Sequence, residues 1–489
     1  MEQYITAVDF GTTKMTVAVG EKSSHGVKIT AFSEAESKGI HRGDVLNIKS
    51  VKNTLCSLVK DVEEQMQNIK DDFKVHRLYA GISGANIHCE RTTVTRKRKD
   101  PEKTIEQHEV EGMLTEAYKS YRNVNEVVLH VIPQSYNIDD LHGLTDIEGH
   151  QGSDIMGFYI LFIGKKNSAE HTKAVINKAG FQVGKLVLEP LASAMGVLTD
   201  EEMELGTVMV DIGGGTTDML IYKDNKIRYS AVIPFGGNAI TQDIRQVCMV
   251  TEKHAEVMKR KHGSCLSSLG PENKFIGITD DHNIITKRIP FRQFFETIEA
   301  RVEEIIATVK HEIREAGMED KINKIVLTGG TANLNQIAVL FRQMTGCSVR
   351  QAFPNEKKIL PTSCPQIFNY SASTVAGLII KGFEYESIEE ERDDEPSASE
   401  AGSIGIDETV SINTDSNSDI TGTSENEKAK KSLLSTLFGG KNHAKKNVEY
   451  NNRNSTETEN QTAGTSPKEP KQVKSTLFDD FFNDTDDEA

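Results

Sequence analysis

The feature that most constrains this chain is a motif that occurs twice. V-D-F-G-T-T-K-M-T-V-A-V begins at Val8 and V-D-I-G-G-G-T-T-D-M-L-I-Y begins at Val210. Each reads as a strand ending in Asp, a Gly/Thr turn, and a second strand. A spacing of about two hundred residues is too long for a solenoid repeat and suits two related domains facing each other. Short apolar runs read as further strands: Glu126–Ile132, Phe158–Ile163, Thr207–Asp211, Asp218–Tyr222 and Lys324–Thr328. Two segments show helical spacing. In one, Ile240, Ile244, Val247, Thr251, Ala255 and Met258 predict a single helix. In the other, Phe291, Phe294, Phe295, Ile298, Val302, Ile305, Ile306, Val309 and Ile313 do the same. Mixed strands and helices place the chain in the α/β class.

The two turns carry the candidate chemistry. Asp9 ends the first strand, Gly11, Thr12 and Thr13 make the turn, and Lys14 follows. Asp211 ends the matching strand, followed by Gly213, Gly214 and Gly215, then Thr216, Thr217 and Asp218. Glycine lets backbone approach a ligand closely. Exposed N–H groups and Thr hydroxyls donate to phosphate oxygens. Asp9 and Asp211 suit Mg²⁺ held through water, because that ion keeps several waters and takes one or two carboxylates. One such turn alone is an ordinary hairpin; two, each opening a half of the molecule, predict a phosphate clamp. A third element, I-V-L-T-G-G-T-A-N-L (Ile325–Leu334), runs a strand into Gly329 and Gly330, with Thr331 and Asn333 expected to open a helix. G-x-x-x-x-G-K-[ST] and G-x-G-x-x-G are both absent, which excludes a P-loop and the dinucleotide fingerprint.

Composition bounds the rest. The 489 residues carry 57 Lys and Arg against 73 Asp and Glu, a net charge of -16, which argues against a general nucleic-acid binder. No apolar run is long enough to span a bilayer, and the N-terminus shows no secretory signal. The six Cys are scattered without a C-x-x-C, so neither a zinc site nor a disulfide framework is expected. From Glu384 to Glu427 there are 15 acidic residues and one basic residue, Arg392, and this stretch reads as a disordered linker. Beyond it, six Lys between Lys428 and Lys446 surround Leu433, Leu434, Leu437 and Phe438. Those four form one helical stripe, flanked by Lys430 and Lys431, and fit a basic amphipathic helix on an anionic membrane surface. The extreme end repeats S-T-L-F, with Leu477, Phe478, Phe481 and Phe482 in an acidic setting, and suits a partner motif or a second insertion patch.

In this order the elements resemble the actin, sugar kinase and heat-shock chaperone superfamily. L-V-L-E-P-L-A-S-A (Leu186–Ala194) is similar to its interdomain helix, with Glu189 and Pro190 at the start and Ala192, Ser193 and Ala194 small enough for close packing. Further stretches resemble the FtsA family of bacterial cell-division proteins: A-G-I-S-G-A-N-I (Ala80–Ile87), H-V-I-P-Q-S-Y-N-I-D (His130–Asp139), V-I-P-F-G-G-N-A-I-T-Q-D-I (Val232–Ile244) and A-E-V-M-K (Ala255–Lys259).

That resemblance implies an actin-like fold of two ribonuclease-H-like domains around a nucleotide cleft. Its first domain would be 1–84 and 161–198, interrupted by the FtsA-type insert at 85–160. The second would begin at 199–230 and continue in 311–383, which also returns to the first domain, with an outer subdomain at 231–310 that binds the FtsZ tail. The linker would be 384–427, the membrane segment 428–446 and an acidic tail 447–489. By the same resemblance, Gly236 and Gly237 lie near ribose and phosphates, Glu256 and Lys259 flank the adenosine, Gly329, Gly330 and Asn333 close over it, and Asp211 or Glu189 orients a water.

The function implied is an ATP- and Mg²⁺-binding, polymerising adaptor with at most slow ATPase activity. It would be peripheral at the cytoplasmic face of the cell membrane, at the division site. It would tether the tubulin-like FtsZ by its C-terminal tail and help recruit other division proteins. Lys253, Lys259, Arg260, Lys261, Arg292 and Arg301 are candidates to meet acidic groups of that tail. A soluble kinase or chaperone-type ATPase of the same superfamily is the competing reading. A kinase has no use for a tethered basic helix, and the composition after residue 383 excludes a folded peptide-binding domain.

Overall fold

The computed structural model describes residues 4–84, 86–279, 285–361 and 364–393. It opens with the expected hairpin, β1 (Tyr4–Phe10) and β2 (Lys14–Ser23), continued by β3 (Gly26–Glu36) as an antiparallel meander. A short pair, β4 (Ile40–His41) and β5 (Asp44–Val45), precedes α1 (Ile48–Gln67). Helix α1 starts where the Asn47 side chain accepts from the Ser50 N–H, and it buries Val51, Leu55, Leu58, Val59, Val62 and Met66 at three- and four-residue intervals. Next, β6 (Arg77–Ile82) lies parallel to β1.

The chain then builds a separate sheet. It contains β7 (His88–Lys97), α2 (Gln107–Ser120), β8 (Glu126–Ile138), β9 (Leu141–Leu144) and β10 (Asp154–Lys165), in strand order β7-β10-β8-β9. After α3 (Lys166–Lys178), β11 (Gln182–Leu188) returns to the first sheet, completing the order β11-β6-β1-β2-β3.

Helices α4 (Glu189–Val197) and α5 (Asp200–Leu205) lead to the second half. There β12 (Thr207–Ile212), β13 (Thr217–Lys223) and β14 (Lys226–Ile233) repeat the meander. Helices α6 (Gly237–Cys248) and α7 (Glu252–His262), the ribbon β15 (Phe275–Thr279) and β16 (Ile285–Pro290), and α8 (Phe291–Glu315) follow. Strand β17 (Lys324–Thr328), α9 (Ile337–Thr345) and β18 (Ser348–Gln351) complete a sheet of order β14-β13-β12-β17-β18. Helix α10 (Ser373–Asp393) packs back on β1, β2 and β6. The two sheets therefore share one topology, three antiparallel strands and then two added in parallel, and the repeated motif occupies the same hairpin in each.

Helix α8 buries all nine of its predicted apolar positions. Removing one of the large ones, such as Phe294, costs about 3–5 kcal/mol. Three expectations need correction. The helix expected over Ile240–Met258 is two helices: Met249 adopts a left-handed conformation, φ 47°, that caps α6, and Thr251 caps α7 with its side chain, so Val247 is exposed. Period alone did not register this break, because Ala255 and Met258 resume the buried face after it. Gly330–Asn333 is a single 3₁₀ turn rather than the start of an α-helix, which begins at Ile337. Finally, the acidic linker expected from Glu384 is helical as far as Asp393. Glu386 is buried there, accepting from Arg77 Nη1 at 2.7 Å and from Tyr79 Oη, which offsets the cost of its burial. The expected membrane segment and acidic tail lie outside the described residues. Among the described residues no helix is long and apolar enough to cross a membrane.

Candidate functional site

The two matching turns meet. A Cβ built on Gly214 would lie 2.3 Å from Thr13 Cγ2, and one on Gly215 would lie 2.5 Å from Thr12 Oγ1. The Gly213 N–H closes its turn onto Thr216 O, while the carbonyls of Gly213 and Gly214 accept from the N–H groups of Gly237 and Asn238. Gly236 is the N-cap of α6, and a Cβ there would lie 2.6 Å from Gly213 O. Thr217 Oγ1 donates to Phe235 O. Thus the second hairpin and the start of α6 form one backbone-lined cradle.

Behind the turns lie four carboxylates. Asp211 and Asp218 are register partners across β12 and β13. Asp9 ends the equivalent strand in the other domain, and Glu189 opens α4 against Gly81. Burial pushes Asp9 up to about 7, helped by Asp211 and opposed by Lys14. It pushes Asp218 up to about 7, helped by Asp211 and opposed by hydrogen bonds from Ser83 and Thr216. Asp211 rises to about 6, again by burial, with hydrogen bonds from Ser193 and Thr374 opposing. Glu189 is raised well above the carboxylate range by burial and by Asp9, Asp218 and Asp211. Lys14 is half-buried and engaged elsewhere, donating to Glu34 Oε2 at 2.5 Å and to Ser371 Oγ at 2.8 Å. Among the described residues no three His, Cys, Asp or Glu side chains converge as direct metal ligands. The set therefore fits a cation that keeps its waters rather than one stripped into a cage.

A second cluster borders the cradle. Lys259 is buried, with Nζ 2.9 Å from Gly237 O, 2.8 Å from Thr241 Oγ1 and 2.7 Å from Glu256 Oε2. Burial alone pushes Glu256 up, but Lys259, Thr241 and Arg260 overcome it and hold the carboxyl at about 2. Thr331 Oγ1 donates to Gly213 O at 2.9 Å, which joins the third glycine element to the second hairpin. Gly329 has φ +87°, and a Cβ there would lie 2.2 Å from Asp211 Oδ1, so only glycine fits on both counts. Asn333 ends its 3₁₀ turn exposed to solvent, and Gly330 borders Ser371.

The structure therefore brings together Asp9, Thr12, Thr13, Lys14, Glu189, Asp211, Gly213 to Asp218, Gly236, Gly237, Glu256, Lys259, Gly329 and Gly330, and leaves Asn333 at the rim. Lys259 cannot also serve a partner-facing surface, because it is buried. Of the other basic candidates, Arg260 pairs with Glu256, Arg292 with Glu296, and Arg301 with Asp243 and Glu304, while Lys253 and Lys261 are exposed.

Sequence reasoning missed Ser83, Thr241, Ser193, Thr374, Ser371 and Glu34. The run N-Y-S-A-S-T before an apolar helix was a readable cap signal, and the Asn369 side chain does accept from the Ser371 N–H. Nothing local marked the others.

Two sheets of one topology, their matching hairpins meeting turn to turn, define the class: an α/β protein with an actin-like fold, two ribonuclease-H-like domains around a cleft. The solved PilM–PilN type IV pilus biogenesis complex shares the fold, with a TM-score of 0.55 at 12% identity over 77% of this chain and 98% of that one. A family model described as Cell division protein FtsA matches residues 208–374, and one described as the SHS2 domain inserted in FTSA matches residues 84–161. Cell division protein FtsA of Buchnera aphidicola subsp. Acyrthosiphon pisum (strain APS) is 30% identical over 392 residues, covering 78% of this chain and 91% of the relative. FtsA of Pseudomonas aeruginosa is 29% identical over 385 residues, covering 78% and 90%. The chain belongs to the FtsA family of cell-division proteins.

Proposed function

We propose that this chain is an ATP-binding, polymerising adaptor that tethers an FtsZ ring to the cytoplasmic face of the membrane at the division site and helps recruit other division proteins. The observation that carries the nucleotide part is the cluster of buried carboxylates from both domains, raised toward neutrality beside two glycine turns that touch. Asp9, Gly11, Thr12, Thr13 and Lys14 would hold one side of the ligand, and Asp211, Gly213 to Thr217 and Asp218 the other. Gly236 and Gly237, Glu256 and Lys259, and Gly329, Gly330 and Asn333 would surround the nucleoside.

Bound ATP with Mg²⁺ would supply a polyanion and a countercation. The chain's own part is to present N–H and hydroxyl donors on the turns, to hold the hydrated cation at Asp9 and Asp211, and to orient a water with Asp211 and Glu189. Residues of both domains, holding one ligand between them, would favour the arrangement in which the domains close, which suits a binding switch with at most slow hydrolysis.

In the outer part of the second domain Met249 is 77% exposed, Phe275, Val247 and Val257 are also open to solvent, and Lys253 and Lys261 of α7 are exposed. Exposed apolar and basic residues of this kind suit an acidic, amphipathic tail such as that of FtsZ. Lys430, Lys431, Leu433, Leu434, Leu437 and Phe438 support membrane attachment by their sequence pattern.

Gly214→Leu tests the clamp. A side chain there must displace Thr13, so ATP binding by calorimetry should fall below detection; normal binding would refute the assignment. Deleting 428–489 tests the anchor. Pelleting with anionic liposomes should be lost while ATP binding stays unchanged, and retained pelleting rules the segment out.

A further inference from the structure

Two helices carry the chain between the domains, α4 outward and α10 back, and they cross at backbone contact. A Cβ on Gly377 would lie 1.7 Å from Ala192 O, and one on Gly196 would lie 2.6 Å from Ser373 O. Such an approach is open only to glycine. Beside this crossing lies a chain of hydroxyls. Ser193 Oγ donates to Asp211 Oδ2 at 2.6 Å, and the Ser193 and Thr374 hydroxyl oxygens are 2.9 Å apart, whereas Thr374 Oγ1 is 3.5 Å from the same carboxylate oxygen. Each hydroxyl has one hydrogen. That of Ser193 goes to the carboxylate, and that of Thr374 is shared between the Ser193 oxygen at 2.9 Å and the same carboxylate oxygen at 3.5 Å. The relay starts on the returning helix, passes through the outgoing one and ends on the Asp211 carboxylate, with Ser193 and Thr374 both buried.

The other carboxylate oxygen is bounded as tightly, by Gly329. Next to Thr374, Ser373 Oγ and Thr328 Oγ1 are 2.5 Å apart, tying the start of α10 to the strand that precedes Gly329. Buried hydroxyls have a desolvation cost that apolar side chains of the same size do not. Here that cost is met by a carboxylate whose direction the relay sets.

We propose that Ser193 and Thr374 are positioning residues: they hold the Asp211 carboxylate toward the hydrated divalent cation that accompanies the nucleotide, and they couple that orientation to the angle at which the two hinge helices cross. This rests on the nucleotide reading of the cleft. Rotation of one domain against the other changes the crossing, and the relay carries the change to Asp211. Cation occupancy and domain angle are then two readings of one hydrogen-bonded pivot.

The test uses the full chain and the variants Thr374→Val, Ser193→Ala and Thr374→Ser. Fluorescent ATP is titrated in EDTA and again over a series of Mg²⁺ concentrations, and the unliganded proteins are melted. Thr374→Val and Ser193→Ala should each raise the half-saturating Mg²⁺ about tenfold, the loss expected for a hydrogen bond to a charged group, with affinity in EDTA unchanged. Thr374→Ser, which keeps the hydroxyl, should behave as the parent. Equal losses with and without Mg²⁺, a variant that no longer folds, or an unchanged Mg²⁺ requirement would each overturn the positioning role. A parent protein whose ATP binding ignores Mg²⁺ would overturn the cation reading itself and the proposal with it; the parent titration alone separates that failure from the others.

Discussion

Glu202 and the cleft carboxylates sit at opposite ends of the titration scale. Glu202, at the start of α5, accepts from Arg350 Nε and Nη2 at 2.7 Å each and pairs with Lys324 at 2.7 Å. Burial pushes it up, but those cations and the Thr199 N–H hold it at about 2. In the cleft, Asp9, Asp211 and Asp218 are buried beside the half-buried Glu189, and all are raised. The chain supplied Glu202 with its counter-charges. Against the cleft carboxylates it supplied hydroxyls and Lys14, which Glu34 and Ser371 already engage. A charge that is satisfied internally holds a fold together, whereas a charge left uncompensated is an invitation to a cation from outside.

The comparison can be broken from either side. Arg350→Ala leaves Glu202 buried with Lys324 alone, and urea unfolding should show a loss of about 3 kcal/mol. Glu386→Ala removes the acceptor shared by Arg77 and Tyr79, so the end of α10 should lose about 2 kcal/mol, read as faster amide exchange over its last turns. Asp9→Asn should act in the opposite sense. With one repelling charge gone, the unliganded protein should gain about 1 kcal/mol near pH 8 while its response to Mg²⁺ disappears in the same melts. A loss of stability instead would mean that the cleft is compensated after all.

The smallest effect is the pH dependence, whose sign differs between the two sets. Asp9, Asp211 and Asp218 are raised, so their contribution to stability is complete below about pH 4 and is lost as pH rises through 6 and 7. Glu202 and Glu256 are lowered, so theirs is complete above about pH 4.5 and is lost as pH falls through 2. A cation binds the deprotonated cleft, so the rise in melting temperature with Mg²⁺ and ATP should grow between about pH 6 and pH 8. A rise independent of pH across that window would place the cation elsewhere.

Much of the fold was legible in the residues. The hairpins were, because alternating apolar residues around a Gly/Thr turn are a local pattern. Helix α8 was, because nine apolar residues keep its period without interruption. The α6–α7 break was not, because a left-handed Met249 leaves no compositional mark, unlike a glycine at the same place. Glu386 was misread with its neighbours as linker, since its charge counts as solvated until Arg77 and Tyr79, more than 300 residues away in sequence, are brought beside it. Ser193 was read as a small packing residue in E-P-L-A-S-A, which it is, but its hydroxyl gained a role only when Asp211 and Thr374 arrived.

What the amino-acid sequence by itself determined is the pair of matched hairpins, the strand and helix inventory that makes the class α/β, and the motifs that place the chain among FtsA proteins. Only the tertiary structure decided which carboxylates share one desolvated space, that Lys259 faces inward, and that α4 and α10 meet beside Asp211. Periodicity and turn chemistry act within a few residues, so they survive in a string of letters. Desolvation and charge repulsion depend on which distant segments fold against each other, and they exist only once the chain has closed on itself.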